Sequence, residues 1–164
     1  MADIKSPEER SRNMSKIRSK DTKPEEYIRK KLFRLGYRYR KNTNAVYGHP
    51  DAWLAKYNTA LFVHGCFWHR HEVCKYAYTP KSRVDFWQEK FQKNVERDLA
   101  VKEHLTAQGI RILIVWECTV RKMIKSEETE REVLNEVEDF LTSSRSYEEI
   151  EFASSSSKSF LLCF

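Results

Sequence analysis

The sequence predicts a single α/β domain, a small mixed sheet flanked by helices. Its 164 residues are enough for one ordinary core, and 40% hydrophobic with 33% charged residues is a globular balance. Stretches with helical apolar spacing also alternate with short β-branched runs, and no internal repeat marks a second domain.

A Ser cap, a proline at the first helical position and a following acid start a helix at Ser6-Pro7-Glu8-Glu9, running to about Arg18. Met14 and Ile17 are nearly its only apolar residues, so residues 1–20 read as an arm lying on a partner. Asp21-Thr22-Lys23-Pro24-Glu25 starts a second helix; Ile28, Leu32 and Leu35 form its stripe and Gly36 its stop. Tyr37 and Tyr39 alternate with arginines, predicting a strand. After the turn at Tyr47-Gly48-His49-Pro50, Asp51–Leu54 and Thr59–Val63 read as paired strands around Tyr57-Asn58. The segment from Gly65 to Lys81 is irregular, and a long helix follows from about Arg83 to Gln108. Arg111–Trp116 is a continuous apolar run, hence a buried strand. An acidic amphipathic helix over about Ser126–Leu141 closes the domain at 21–142, and residues 143–164 read as a Ser-rich mobile tail.

The net charge is +6, which fits a solvated basic surface as readily as a nucleic-acid binder. Its distribution favours the second, because between Arg10 and Lys41 lysines and arginines interleave with Tyr27, Phe33, Tyr37 and Tyr39. No apolar run of about 18 residues exists to span a membrane, and the N-terminus lacks a signal-peptide core, so a cytoplasmic protein is expected.

Cys66, His71 and Cys74 crowd one loop, and Cys118 directly follows the buried strand. Three thiols and an imidazole are the donor set of a structural Zn²⁺, closed to water and so a staple for the loop. The alternative is a small core cysteine at 118 with incidental loop cysteines. His64, His69 and His71 fall within eight residues of one another, and with His71 given to zinc, His69 is free for proton transfer. On the long helix Trp87, Phe91, Val95, Val101, Lys102 and Leu105 share one side, with Asp98 in their midst. A carboxylate facing the sheet needs a partner such as His69; otherwise it sits at the rim of a frayed stripe. Asp51, opening a strand, could hold a hard divalent ion, though spacing alone says little.

Together these residues resemble the very short patch repair endonucleases. The resemblance runs from about Arg10 to Arg121 and is carried by Ser11-Arg12-Asn13-Met14, Asp21-Thr22, Gly48-His49-Pro50-Asp51, His64-Gly65-Cys66-Phe67-Trp68-His69, Phe86-Trp87, Lys93–Asp98 and Val115–Cys118. It implies a restriction-endonuclease-like fold that nicks duplex DNA on the 5′ side of the mispaired thymine in T:G mismatches left by 5-methylcytosine deamination. It implies catalytic Mg²⁺ held by Asp51 and the Val63 carbonyl, with His69 as general base and Asp98 its orienting partner. Glu25 is implied to organise metal-bound water and His64 to position the scissile phosphate, while Cys66, His71, Cys74 and Cys118 bind Zn²⁺. Met14, Phe67 and Trp68 would wedge into the base stack, although most such aromatics are core residues. A monomer is implied, acting in the bacterial cytoplasm at the nucleoid, with mismatch-repair and repair-synthesis proteins as further partners. Two departures stand out: Val63 replaces a common Thr, and the His71-Glu72-Val73-Cys74 spacing is one residue longer than expected. The rival readings are a site-specific or homing-type endonuclease without mismatch preference and a non-catalytic zinc module.

Overall fold

The computed structural model describes residues 6–15 and 20–151. Helices α1 (Pro7–Ser15) and α2 (Lys23–Arg34) precede strand β1 (Ala52–Leu54), a single 3-10 turn and strand β2 (Thr59–His64). Helix α3 (Val84–Ala107), strand β3 (Arg111–Trp116), helices α4 (Glu117–Met123) and α5 (Glu127–Thr142) and strand β4 (Tyr147–Ile150) follow. The sheet order is β1-β2-β3-β4, with β1 antiparallel to β2 and the remaining pairs parallel. It is a mixed sheet, as expected.

Strand alternation sorts the apolar side chains onto two faces. Leu61, Leu113 and Val115 join Ile28, Leu32, Val120, Val133, Val137 and Phe140 from α2, α4 and α5 in one core. Ala60, Phe62, Ile112 and Ile114 meet Val46 and Leu105 on the other face, under α3. β3 is buried along five of its six residues because helices cover both sides.

Three expectations are corrected. Tyr37–Arg40 is not a strand: only Arg40 forms a bridge, to Trp53, while Tyr37 turns into the core against Tyr57. The tail begins with structure, since Tyr147–Ile150 pairs along β3 and buries Ile150 in the core; residues 152–164 lie outside the described residues. The covered line on α3 runs through Trp87, Phe91, Asn94, Asp98, Val101 and Leu105, whereas Val95 is exposed. The predicted end of the first helix near Arg18 and the placement of the Met14 side chain also lie outside the described residues.

Candidate active site

β2 and β3 end side by side, with His64 paired to Trp116. Cys66 and Cys118 each lie two residues past that last pair, so the sheet delivers them to one place. The loop brings His71 and Cys74 to the same point, and the ligand atoms of the four residues all lie within 4.8 Å of one another. His71 Nδ1 is 3.6 Å from Cys66 Sγ and 3.4 Å from Cys118 Sγ, and its ring stacks on Trp116 at 4.1 Å. The Cys118 thiol is pulled down to about 5, chiefly by its hydrogen bond with Cys66 and with help from His71, while the Cys66 thiol is pushed up in exchange. A ready thiolate beside an imidazole is what a soft cation takes. Between His71 and Cys74 the chain turns out through Val73, which is fully exposed with φ +53°.

On the α3 side of β2 the same loop presents His69. Its Nδ1 lies 2.5 Å from Asp98 Oδ2, and its ring stacks 3.9 Å from that of His64. The structure therefore gives the half-buried Asp98 an imidazole partner. Burial lowers His64 to about 3, and the neighbouring His69 adds to this, so the His64 ring stays neutral.

Asp51, one residue before β1, accepts a hydrogen bond from the Val63 backbone N–H at 2.7 Å. Gly48 lets this strand entrance approach α3: at φ +84° a Cβ there would sit 2.5 Å from Val101 Cγ1. The acidic partner of Asp51 is Glu25, in the first turn of α2. Glu25 accepts from Thr22 Oγ1 at 2.7 Å, while its Oε2 is buried without a hydrogen-bond partner. Burial pushes the Asp51 carboxyl up to about 7; the Val63 bond opposes the rise and the Glu25 charge adds to it. Arg29 offsets part of this charge, with Nη1 3.6 Å from Glu25 and 3.4 Å from the Asp51 carbonyl and Nη2 2.5 Å from Asp21.

These groups open onto one cleft. Its larger lobe, about 470 Å³, is lined by Asp51, Val63, His64, His69 and Asp98. An adjoining lobe of about 410 Å³ reaches Trp68, Asn94 and Glu117, and both lobes share Glu25, Val63, His69 and Arg97. Phe67 and Trp68 are half-buried rather than freely exposed. Phe67 packs edge-on against Trp68, Trp87 and Phe91, and Asn94 Nδ2 holds the Trp68 carbonyl at 3.1 Å. The residues that sequence reading passed over are Arg29, Asn94 and Arg97. Arg29 could have been noticed as a cation four residues after Glu25, while the other two lie in the Lys93–Asp98 motif that carries the resemblance but were given no role of their own.

The residues from 2 to 75 match the family model described as DNA mismatch endonuclease Vsr. The DNA mismatch endonuclease Vsr of Escherichia coli is 40% identical over 121 residues, covering 74% of this chain and 77% of that protein. This chain belongs to the Vsr endonuclease family. Similar relatives also include the type II nicking enzyme V.NmeAIP of Neisseria meningitidis, 44% identical over 85% of this chain and 99% of its own length. Another is the type II nicking enzyme V.XorIIP of Xanthomonas oryzae, 39% identical over 82% of this chain and 98% of its own. For a Vsr-family chain, valine at position 63 is accommodated easily, because its backbone rather than its side chain meets Asp51. Among the described residues no helix is long and apolar enough to cross a membrane.

Proposed function

We propose that this chain is a DNA nicking enzyme that cuts on the 5′ side of the thymine in T:G mismatches arising from 5-methylcytosine deamination. One observation carries the nuclease reading: a His–Asp pair and a carboxylate pair line a single cleft. The mismatch reading rests on membership of the Vsr family and on Trp68 lining that cleft with Phe67 packed edge-on against it.

The carboxylate pair fits a hard divalent cation such as Mg²⁺. Glu25 Oε2 is buried without a hydrogen bond, with only the Arg29 guanidinium at 3.6 Å, and Asp51 is held back from ionising, so the carboxylates of this wall outweigh the cation beside them. Asp51 and the Val63 carbonyl would hold the ion, with Glu25 ordering water around it. When bound, the cation would offset charge on the scissile phosphate and on the leaving 3′ oxygen. The protein's own groups do the proton work. Asp98 fixes His69 through Nδ1, leaving Nε2 to accept a proton from the attacking water. His64, neutral and stacked on His69, positions the phosphate as a hydrogen-bonding group rather than as a cation. Three thiols and an imidazole fit Zn²⁺, which would keep the loop carrying His69 in place. Met14, Phe67 and Trp68 would enter the base stack, where unstacking costs a few kcal/mol and least at a mismatch.

The names of the nicking-enzyme relatives favour a second reading, site-specific nicking of paired DNA. A panel of T:G duplexes with varied flanks, each beside its T:A counterpart and with or without Mg²⁺, separates the two. Mg²⁺-dependent nicking of T:G alone is expected, with the preference lost in Phe67→Ala/Trp68→Ala. Equal cutting of T:A duplexes sinks the mismatch reading, and no nicking of any duplex sinks the nuclease reading.

A further inference from the structure

We infer that Glu151, just past β4, is a positioning residue of the metal loop, a carboxylate that accepts from His71 Nε2–H and fixes the imidazole with Nδ1 toward the thiols. His71 is 7% exposed, and its Nδ1 faces the sulfurs of Cys66 and Cys118. A ring that ligates through Nδ1 must carry its proton on Nε2, and a buried N–H needs an acceptor. That nitrogen is buried and makes no hydrogen bond of good geometry, yet Glu151 Oε1 stands 3.2 Å away. A small rotation of an exposed Glu side chain turns this contact into the carboxylate–histidine arrangement that orients metal ligands elsewhere.

A second tie from the same strand supports the assignment. Glu149 accepts from the indole N–H of Trp116 at 3.0 Å, and Trp116 is the ring on which His71 stacks. The end of β4 and the residue that follows it therefore meet both the imidazole and the ring beneath it. Glu149 and Glu151 can do so together because alternation puts them on one face, while Ile150 between them enters the core on the other.

The inference rests on zinc occupying the Cys/His cluster, so the experiment measures zinc first. The full-length protein is purified without added metal, its zinc content determined, and zinc affinity measured by competition with a chromophoric chelator. The natural chain is expected to hold about one zinc. Glu151→Ala is expected to weaken zinc binding by about 10- to 100-fold, the usual cost of losing such an outer partner. Glu151→Gln, which keeps an acceptor oxygen, is expected to retain most of the affinity. In Co²⁺-loaded protein the Glu151→Ala change should shift the ligand-field bands while keeping thiolate charge-transfer absorption. The unfolding midpoint of metal-free protein should not move. No zinc in the natural chain overturns both the zinc reading and the inference. Zinc in the natural chain with affinity unchanged within twofold in Glu151→Ala overturns the inference alone.

Discussion

Replacing Asp51 by Asn takes one charge out of the most crowded part of the cleft without changing its shape. The Asn carbonyl can still accept from Val63 N–H, and its amide can donate toward Glu25 Oε2, which makes no hydrogen bond. Holding this carboxyl near 7 instead of 3.8 disfavours the charged form by about 4 kcal/mol. Asp51 is partly open to the cleft, which cuts the figure to about 2 kcal/mol. Because the folded value is raised, folding takes up a proton as pH falls. The destabilisation is absent below about pH 4, grows between 4 and 7, and is complete above 7. In zinc-loaded, Mg²⁺-free protein at pH 8, Asp51→Asn should therefore raise the thermal midpoint by about 4–8 °C. The gain should fall to less than half at pH 5. Mg²⁺ should then stabilise the natural chain but not the variant, and the variant should not nick DNA. Calorimetry at the two pH values checks this. A variant no more stable than the natural chain at pH 8, or equally stabilised at pH 5, refutes the reasoning.

Asp98→Asn should lower the single-turnover nicking rate by about 10²- to 10⁴-fold, the usual size of a proton-transfer contribution, because an amide favours the wrong tautomer of His69. DNA affinity in a binding assay should change less than threefold; equal losses in rate and affinity would point instead to a misplaced loop. Val73→Gly should stabilise the zinc-loaded protein by about 1 kcal/mol in urea unfolding, because a β-branched residue with φ +53° is strained and this one, fully exposed, packs against nothing. A destabilised variant would show that this turn is not strained.

The parts of this molecule readable from sequence are those where local pattern and tertiary environment agree. β3 announces itself because burial on both faces demands an unbroken apolar run, and α2 because its proline start precedes the buried Ile28 and Leu32, although Leu35, expected on the same stripe, is exposed at the helix end. β4 could not be read: Tyr-Glu-Glu-Ile offers one core residue, and its extended form comes from pairing with β3. Conversely, the tyrosine–arginine alternation at 37–40 looked like a strand, but only Arg40 found a backbone partner. The metal donors were visible because four soft or basic ligands are rare and chemically distinctive. Asp98 was visible because a carboxylate interrupts a covered stripe. The roles of Asn94, Arg97 and Glu151 were not, even though the first two lie in the Lys93–Asp98 motif, since each is an ordinary polar residue until the fold places it beside a backbone carbonyl, a cleft or a buried imidazole.

The side-by-side ends of β2 and β3 have a topological consequence. A metal joining Cys66 to Cys118 would close a ring of about fifty residues, and His69 and Asp98 both lie inside it. In an unfolded chain, closing such a ring costs about 4 kcal/mol of chain entropy. Here the strand register has already brought the two ends together. An ion bound there would act as a clasp at the ends of the parallel pair. Any opening of that clasp would let His69 and Asp98, the proposed base and its orienting partner, move apart, disabling the cleft before the rest of the domain unfolds.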